Sequence, residues 1–171
     1  MCRANSKFIY EYDLTKTSNN VRSGTPDSAL SVRQNYYDCG MNNYLDLAVD
    51  ESGLYAIYNV DDKVQISKLQ LAKGISSIKT VKLDGAGKFS EIGNAFVACG
   101  VLYTLDKSTG RLSTINYAYD IVNQRQFNPN IQFENYMDKT YSLSYNPAEK
   151  KLYAYSLNHL VTYPLEFSPR T

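Results

Sequence analysis

Residues 45–55, Leu-Asp-Leu-Ala-Val-Asp-Glu-Ser-Gly-Leu-Tyr, decide the fold, because their pattern is that of a short strand, a tight turn and the start of a second strand. The closing pair, Leu54-Tyr55, returns at Leu102-Tyr103 and at Leu152-Tyr153, 48 and 50 residues further on. A second set of short strands runs in step with these pairs. Periods of about 40–50 residues with several short strands in each are typical of β-propeller blades. The sequence therefore predicts an all-β fold with about three and a half such units.

The chain on either side of the repeats is less regular. Residues 7–14 are predicted to form one strand, with aromatic residues alternating at Phe8, Tyr10 and Tyr12. Residues 15–43 are polar and contain Gly, Pro, Ser and Asn, so we expect a long surface loop. No segment of ten or more residues shows an apolar period of 3.6, which predicts little helix.

Composition excludes several classes of partner. The 171 residues could bury a substantial core. The 18 basic and 17 acidic residues leave a net charge of +1, which gives no reason to expect binding to nucleic acid or to an anionic membrane. Apolar runs are far shorter than the roughly 20 residues that span a bilayer, so we expect no membrane insertion. Residues 1–10 lack the apolar core of a secretory signal.

Few residues suggest chemistry. Tyrosine is abundant, at 16, and tryptophan is absent, which favours packed β-sheets but does not indicate a ligand. The three cysteines are well separated and do not resemble a zinc site. His159, the only histidine, falls in a predicted hairpin turn and has no partner in a nucleophile–base pattern. We expect it to lie at the surface.

The sequence motifs around the repeats resemble those of one protein family. Residues 46–54 resemble the olfactomedin-domain motif DLAVDE-x-GL, and residues 93–103 resemble its NAF-x-x-CG-x-LY motif. Asn-Tyr-Ala-Tyr-Asp at 116–120 and Tyr-Asn-Pro at 145–147 complete the order. The resemblance is strongest over residues 45–167. The chain is thus identified from its motifs as similar to the olfactomedin-domain family.

The resemblance implies a five-bladed β-propeller. Five blades of about 48 residues need about 240 residues, so residues 1–171 would form a partial propeller domain. We expect the missing part to be N-terminal, because residues 7–14 look like the close of an earlier blade. A fragment, an expression or proteolytic product, and one half of a complementing pair are all compatible with this. An unclosed ring would expose sheet faces.

The resemblance also implies a calcium ion near the central channel. Its ligands, by position, would be Asp46, Asn94, the carbonyls of Ala95 and Leu143, and the side chain of Ser144. The last position departs from the family, whose calcium-binding members have Asp there, and the carboxylate charge falls accordingly. The alternative is that Asp46 and Asn94 bond to backbone amides and water.

A disulfide is the other implied feature. Cys99 matches the family cysteine that pairs with a cysteine near the N-terminus of the domain. No partner is recognisable, since Cys2 does not match the expected position and Cys39 lies in the predicted loop. The alternative is that Cys99 is a buried, reduced thiol.

These expectations combine into one leading function. The resemblance implies a non-enzymatic extracellular module, secreted or part of an ectodomain, that binds an extracellular or cell-surface protein in matrix organisation, adhesion or signalling. Contacts are expected on the loop 15–43 and on the connections between blades. Oligomerisation would involve regions outside this chain. An intracellular scaffold propeller is the alternative. A propeller hydrolase or lyase, with Asp46, Glu91 and Tyr119 in the channel, is a third.

Overall fold

The computed structural model describes residues 8–15, 21–28, 45–71 and 74–168, and these form an almost entirely β structure. No α-helix occurs within those ranges. The strands are β1 Ile9–Tyr12, β2 Val21–Gly24, β3 Leu45–Asp50, β4 Gly53–Val60, β5 Lys63–Gln70, β6 Ser76–Lys82, β7 Asn94–Ala98, β8 Val101–Leu105, β9 Leu112–Asp120, β10 Arg125–Phe127, β11 Ile131–Glu134, β12 Ser142–Asn146, β13 Lys151–Ser156 and β14 His159–Pro164. Short 3-10 turns occur at Phe89–Glu91 and Tyr136–Asp138.

The strands form three antiparallel meanders and one hairpin. Sheet A has the order β3-β4-β5-β6, sheet B the order β7-β8-β9-β10 with β11 also paired to β9, and sheet C the order β12-β13-β14. β1 and β2 pair by themselves. Each meander corresponds to one repeat of the leucine-tyrosine pair. The prediction of an all-β fold with three to three and a half blades is therefore confirmed.

The sheets pack face to face along the chain, and an apolar core lies at each junction. One face of sheet A, with Ile57 and Ile66, packs on Val97 and Leu102 of sheet B. The opposite face of sheet B contributes Phe96, which joins a separate core with sheet C. Burial on both faces explains why every residue of β7 is buried.

Sheet C contributes Leu143, Leu152 and Ala154 to its core with sheet B. A third core completes the stack. The β1–β2 hairpin places Ile9 against Tyr58 on the outer face of sheet A. The hairpin thus occupies part of the surface that another blade would cover in a propeller.

The structure differs from the sequence-based predictions in three local features. β2, Val21–Gly24, lies inside the stretch 15–43 that was predicted to be a loop, so that prediction was wrong at these four residues. Residues 16–20 and 29–44 lie outside the described residues. Residues 125–133 are predicted from the sequence to form one strand, but they are divided into β10 and β11, with Pro129 in the interruption. His159 begins β14 instead of lying in the turn, although its side chain is exposed as expected.

Candidate functional site

The innermost strands of the three sheets converge on one region. β3, β7 and β12 each contact the other two. The predicted calcium positions are distributed over these strands: Asp46 on β3, Asn94 and Ala95 on β7, and Leu143 and Ser144 on β12. The fold therefore brings the strands that carry these positions together, as the resemblance implied.

The side chains at two of these positions already have local hydrogen bonds. Asp46 Oδ1 accepts a bond of 2.9 Å from the amide of Leu47. Asn94 Oδ1 accepts one of 3.0 Å from the amide of Ala95. Within the described residues, the buried Asn94 Nδ2 has no hydrogen-bond partner. An amide nitrogen is a donor, so this unsatisfied atom does not attract a cation.

The chemistry of the donor set fits calcium poorly. Leu143 is buried, whereas Ser144 is exposed on the other face of β12. Asp46 is the one carboxylate of the set, and Ca²⁺ prefers six to eight oxygens with more carboxylate charge. Across the part of the chain that the structure describes, no cluster of three or more His, Cys, Asp or Glu side chains could hold a metal. Calcium binding at these five positions stays a prediction.

A different group of residues connects the three sheets at the ends of the inner hairpins. We call it the inner clasp and define it by Asp50 and Glu51 of sheet A, Cys99 and Gly100 of sheet B, and Tyr145 of sheet C. Asp50 is 4% exposed. Its Oδ2 accepts a 2.6 Å hydrogen bond from the Gly100 amide. Its Oδ1 accepts bonds from the Ser52 amide and hydroxyl and the Gly53 amide, at 2.7, 2.8 and 3.2 Å.

Glu51 extends the clasp to the third sheet. Its Oε2 accepts a 3.0 Å bond from the Cys99 amide, and its Oε1 accepts a 2.6 Å bond from the Tyr145 hydroxyl. The Cys99 amide is oriented for this contact because Cys99 and Gly100 form a tight turn with φ of 51° and 73°. One carboxylate thus receives donors from two other sheets.

These contacts change the acidity of both partners. Burial raises the pKa of Glu51, but hydrogen bonds from Tyr145, from its own backbone and from the backbone and side chain of Cys99 outweigh it, so the pKa lies below its ordinary value. Burial raises the pKa of Tyr145, and the hydrogen bond and negative charge of Glu51 raise it further. The pair is therefore an ionised carboxylate and a protonated phenol near neutral pH.

The clasp was missed by sequence reasoning, although its residues lie within the quoted motifs. Glu51 and Tyr145 are 94 positions apart, and only the convergence of β3, β7 and β12 brings them together. The turn that recurs after each inner strand was the sequence signal that could have revealed the clasp. It was interpreted only as a turn, whereas the turn side chains and amides also bond from one sheet to the next.

Cys99 lies at the exposed tip of the β7–β8 hairpin. The alternative that it is a buried thiol is therefore wrong, because the hairpin end places it at the surface while the strand residues on both sides are buried. Cys2 and Cys39 lie outside the described residues. The implied disulfide stays a prediction.

The three residues of the enzyme alternative lie in different elements: Asp46 in β3, Glu91 in the 3-10 turn and Tyr119 in β9. The side chain of Glu91 is 63% exposed and lies 3.6 Å from the ammonium of Lys88. The ring of His159 contacts the ring of Tyr136, with the two centroids 5.8 Å apart. None of these contacts has the geometry of a nucleophile and its base.

An exposed apolar corner lies at the end of sheet C. We define the corner surface by Tyr136, Met137, Tyr155, Leu157 and Leu160, which are between 42% and 70% exposed. Tyr155 and Leu160 are directly paired across β13 and β14. Such a concentration of Tyr, Met and Leu at one end of a sheet is unusual for solvent-facing surface.

The backbone that carries this corner is held firmly. Asn135, 1% exposed, donates from Nδ2 to the Gly110 carbonyl at 2.8 Å and accepts a 2.8 Å bond from the Thr140 hydroxyl. The Ser156 hydroxyl donates to the carbonyls of Tyr136 and Lys139. These bonds fix Met137 with a φ of 55°, so its side chain is presented on an ordered turn.

Comparison with known proteins agrees with this architecture. The olfactomedin-like domain family matches residues 1–170. The chain belongs to this family. Myocilin of Homo sapiens is 31% identical over 168 residues, covering 96% of this chain and 32% of that protein. Myocilin of Macaca fascicularis is also 31% identical over 168 residues, covering 96% of this chain and 33% of that protein.

Olfactomedin-4 of Mus musculus is 31% identical over 164 residues, covering 93% of this chain and 31% of that protein. The olfactomedin-like chain thus spans about a third of the length of these relatives. In its described part, no helix has both the length and the apolar character needed to cross a membrane.

Proposed function

We propose that the chain acts as a non-enzymatic, extracellular protein-interaction module of olfactomedin type, in matrix organisation, cell adhesion or signalling. Family membership supports an olfactomedin-type module. The observation that carries the interaction is the corner surface, whose five large apolar or aromatic side chains are each at least 42% exposed near one end of sheet C. Its partner is an extracellular or cell-surface protein, and oligomerisation through regions outside this chain remains part of the proposal.

The chemistry of the corner surface suits a protein partner. Protein interfaces are enriched in aromatic residues and Met, surrounded by a polar rim. Here Lys139 provides a rim charge, with its ammonium 5.1 Å from the centre of the Tyr141 ring. Tyr141 in turn lies 6.2 Å from the Tyr155 ring. A partner that covers Tyr155 and Leu160 would remove apolar surface from water without burying an unpaired charge.

The hydrogen-bonded backbone beneath the corner surface also supports binding to a protein partner. The bonds of Asn135 and Ser156 hold the turn before β12 in one conformation. Binding to such a surface loses little backbone entropy, which favours affinity for a given contact area. The turn also joins sheet B to sheet C, so the proposal agrees with the expectation that contacts involve connections between blades.

The test is binding of the full chain to a panel of purified extracellular and ectodomain proteins, measured by surface plasmon resonance. Replacement of Leu160 by Lys should weaken the affinity for the captured partner at least tenfold, because it puts an unpaired charge where apolar contact is expected. Tyr136→Ala should weaken it in the same direction.

Val122→Lys is the matched control. Val122 is 70% exposed, as is Leu160, but it lies in the turn between β9 and β10 of another sheet. Binding should survive this change. Loss of binding with Val122→Lys and not with Leu160→Lys would reject the corner surface. Absence of any binding across the panel would reject the protein-interaction function itself.

A further inference from the structure

A cavity of about 260 Å³ lies between the sheet A–sheet B connection and sheet B. Its lining comes from the loop that follows β6, from the strands β8 and β9, and from the turn before β11. The lining residues are Gly85, Ala86, Gly87, Glu91, Ile92, Thr104, Leu105, Asn116, Tyr117 and Asn128. Ile92 and Leu105 are buried and give the cavity an apolar floor. Polar side chains surround that floor.

A β-bulge shapes the polar wall. Thr104 pairs with Tyr117, but the next residue, Leu105, pairs with Ile115, so Asn116 is an extra residue in β9. A bulge of this kind redirects side chains and is frequent beside binding sites. The Thr104 hydroxyl and Asn116 Oδ1 lie 3.5 Å apart, and both residues line the cavity. The bulge therefore places two hydrogen-bonding side chains on one wall.

Tyr117 is the most unusual residue of the lining. It is 5% exposed, and among the described residues its hydroxyl has no hydrogen-bond partner. Burial raises its pKa to about 12, with smaller contributions from Tyr119 and Asp84, so the hydroxyl is protonated and can both donate and accept. An unsatisfied buried hydroxyl costs free energy unless a water or ligand completes it.

The charges around the cavity are balanced. Glu91 Oε1 lies 3.6 Å from the Lys88 ammonium. Asp84, which precedes the lining glycines, lies 3.1 Å from the Lys63 ammonium. Both carboxylates therefore have a cation nearby, and the described residues around the cavity leave no net charge that would select an ionic ligand. The remaining polar groups, two amide side chains and two hydroxyls, are neutral donors and acceptors.

From this cavity we propose a binding site for a small neutral polyhydroxylated ligand, of the size of a monosaccharide or smaller polyol. The volume is below the range of about 300–1,000 Å³ found for drug-sized ligands. Hydroxyl groups match the Asn116 and Asn128 amides and the Tyr117 hydroxyl, while Ile92 and Leu105 accept the apolar face of a sugar ring. This site is distinct from the corner surface and does not depend on it.

The test is saturation-transfer-difference NMR on the full chain with D-glucose, D-galactose, D-mannose and glycerol as probes. At least one of them should give a saturable signal with a Kd in the millimolar range or below. Tyr117→Phe keeps the ring and removes the hydroxyl, so it should weaken that Kd about fivefold to tenfold. Asn116→Ala should weaken it as well.

Tyr12→Phe is the matched control, because it makes the same chemical change on an exposed tyrosine outside both the cavity and the corner surface. It should leave the Kd unchanged. Lack of signal from every probe would overturn the proposal and indicate that the cavity holds water only. Equal binding by wild type and by both Tyr117→Phe and Asn116→Ala would also overturn it, since the probe would then bind elsewhere.

Discussion

At the scale of single residues, Glu51 has an unusual position for a surface-turn carboxylate. It receives hydrogen bonds from Cys99 on sheet B and from Tyr145 on sheet C. Its pKa is lowered in the folded protein, so ionised Glu51 favours folding. That contribution is present above the unfolded value of 4.5 and is lost as the pH falls through the lower folded value. Stability should therefore depend on this pair in acid.

Tyr145→Phe tests the pair. Removal of the hydroxyl should lower the free energy of unfolding at pH 7 by about 1 kcal/mol, because one charge-assisted hydrogen bond is lost near partly exposed surface. The difference from wild type should shrink as the pH falls through the lowered pKa of Glu51, because the carboxylate then becomes protonated in the wild type. Urea unfolding followed by circular dichroism at pH 7 and pH 3 measures both values.

Tyr153→Phe provides the control for that experiment. The Tyr153 hydroxyl donates to Glu149 Oε1 at 2.9 Å in a pair that solvent surrounds. Water screens this interaction, so Tyr153→Phe should change the free energy of unfolding less than Tyr145→Phe at both pH values. A Tyr145→Phe penalty that is the same at pH 7 and pH 3 would contradict the role given to ionised Glu51.

Asp50 should matter more for stability than any exposed acid. Asp50→Asn keeps the shape but replaces one acceptor oxygen by an amide that can only donate, opposite either the Gly100 amide or the Ser52 group. The free energy of unfolding should fall by about 2–3 kcal/mol. Asp84→Asn, at a residue 76% exposed, should change it by less than about 0.5 kcal/mol. Thermal and urea unfolding of both variants measure these changes. If Asp50→Asn and Asp84→Asn lowered the free energy of unfolding equally, the clasp would not be important for stability.

At the scale of strands and turns, the sequence predicted what local pattern determines. The alternation in β3 and the glycine turns gave the three meanders, and Gly110 has the positive φ of 80° that its turn required. β2 was missed because Val21 is its single apolar residue and its pairing with β1 is not a local property. The bulge at Asn116 was missed for the same reason, since it exists only relative to β8.

Gly93 lies directly before β7, and the sequence alone does not explain why a glycine is needed there. A Cβ atom there would overlap the backbone of Lys107 and Ser108, because the residue before β7 passes directly over the β8–β9 turn. Gly93→Ala should therefore lower the free energy of unfolding by about 3 kcal/mol or more, since backbone atoms must move. Thermal unfolding of the variant measures the effect.

Gly110→Ala separates crowding from backbone strain. A Cβ at Gly110 would meet no atom within 4 Å, although its φ is positive. The cost should be about 1–2 kcal/mol, from the left-handed conformation alone. If Gly93→Ala proved no more harmful than Gly110→Ala, the close approach of β7 to the turn would not be a constraint on the fold.

At the scale of the whole molecule, the β1–β2 hairpin covers only part of the outer face of sheet A, and among the described residues no sheet packs on the outer face of sheet C. Leu47 and Val49 of β3 are each 45% exposed, and the face of sheet C that carries Ser144 is also open. The sequence predicted such faces from the number of repeats. It did not predict the clasp or the bulged cavity, because both arise where one sheet meets the next. Residues that act between sheets are therefore the part of the site that local patterns cannot reveal.

Calcium, which the family resemblance implied, is the last property that depends on all three sheets. The predicted positions lie on β3, β7 and β12, so a bound ion would link the sheets and raise the melting temperature. With Ser144 in place of Asp, the donor set has too little carboxylate charge, and millimolar Ca²⁺ should shift the wild-type melting temperature by less than about 1 °C. Ser144→Asp should gain a calcium-dependent rise of about 5–10 °C, if the ion reaches about 100 times its Kd. Ser142→Asp, on the same exposed face of β12 but outside the predicted set, is the control and should gain none. A large calcium shift in the wild type would show that the serine suffices, and no shift in Ser144→Asp would show that these strands do not form the ion site.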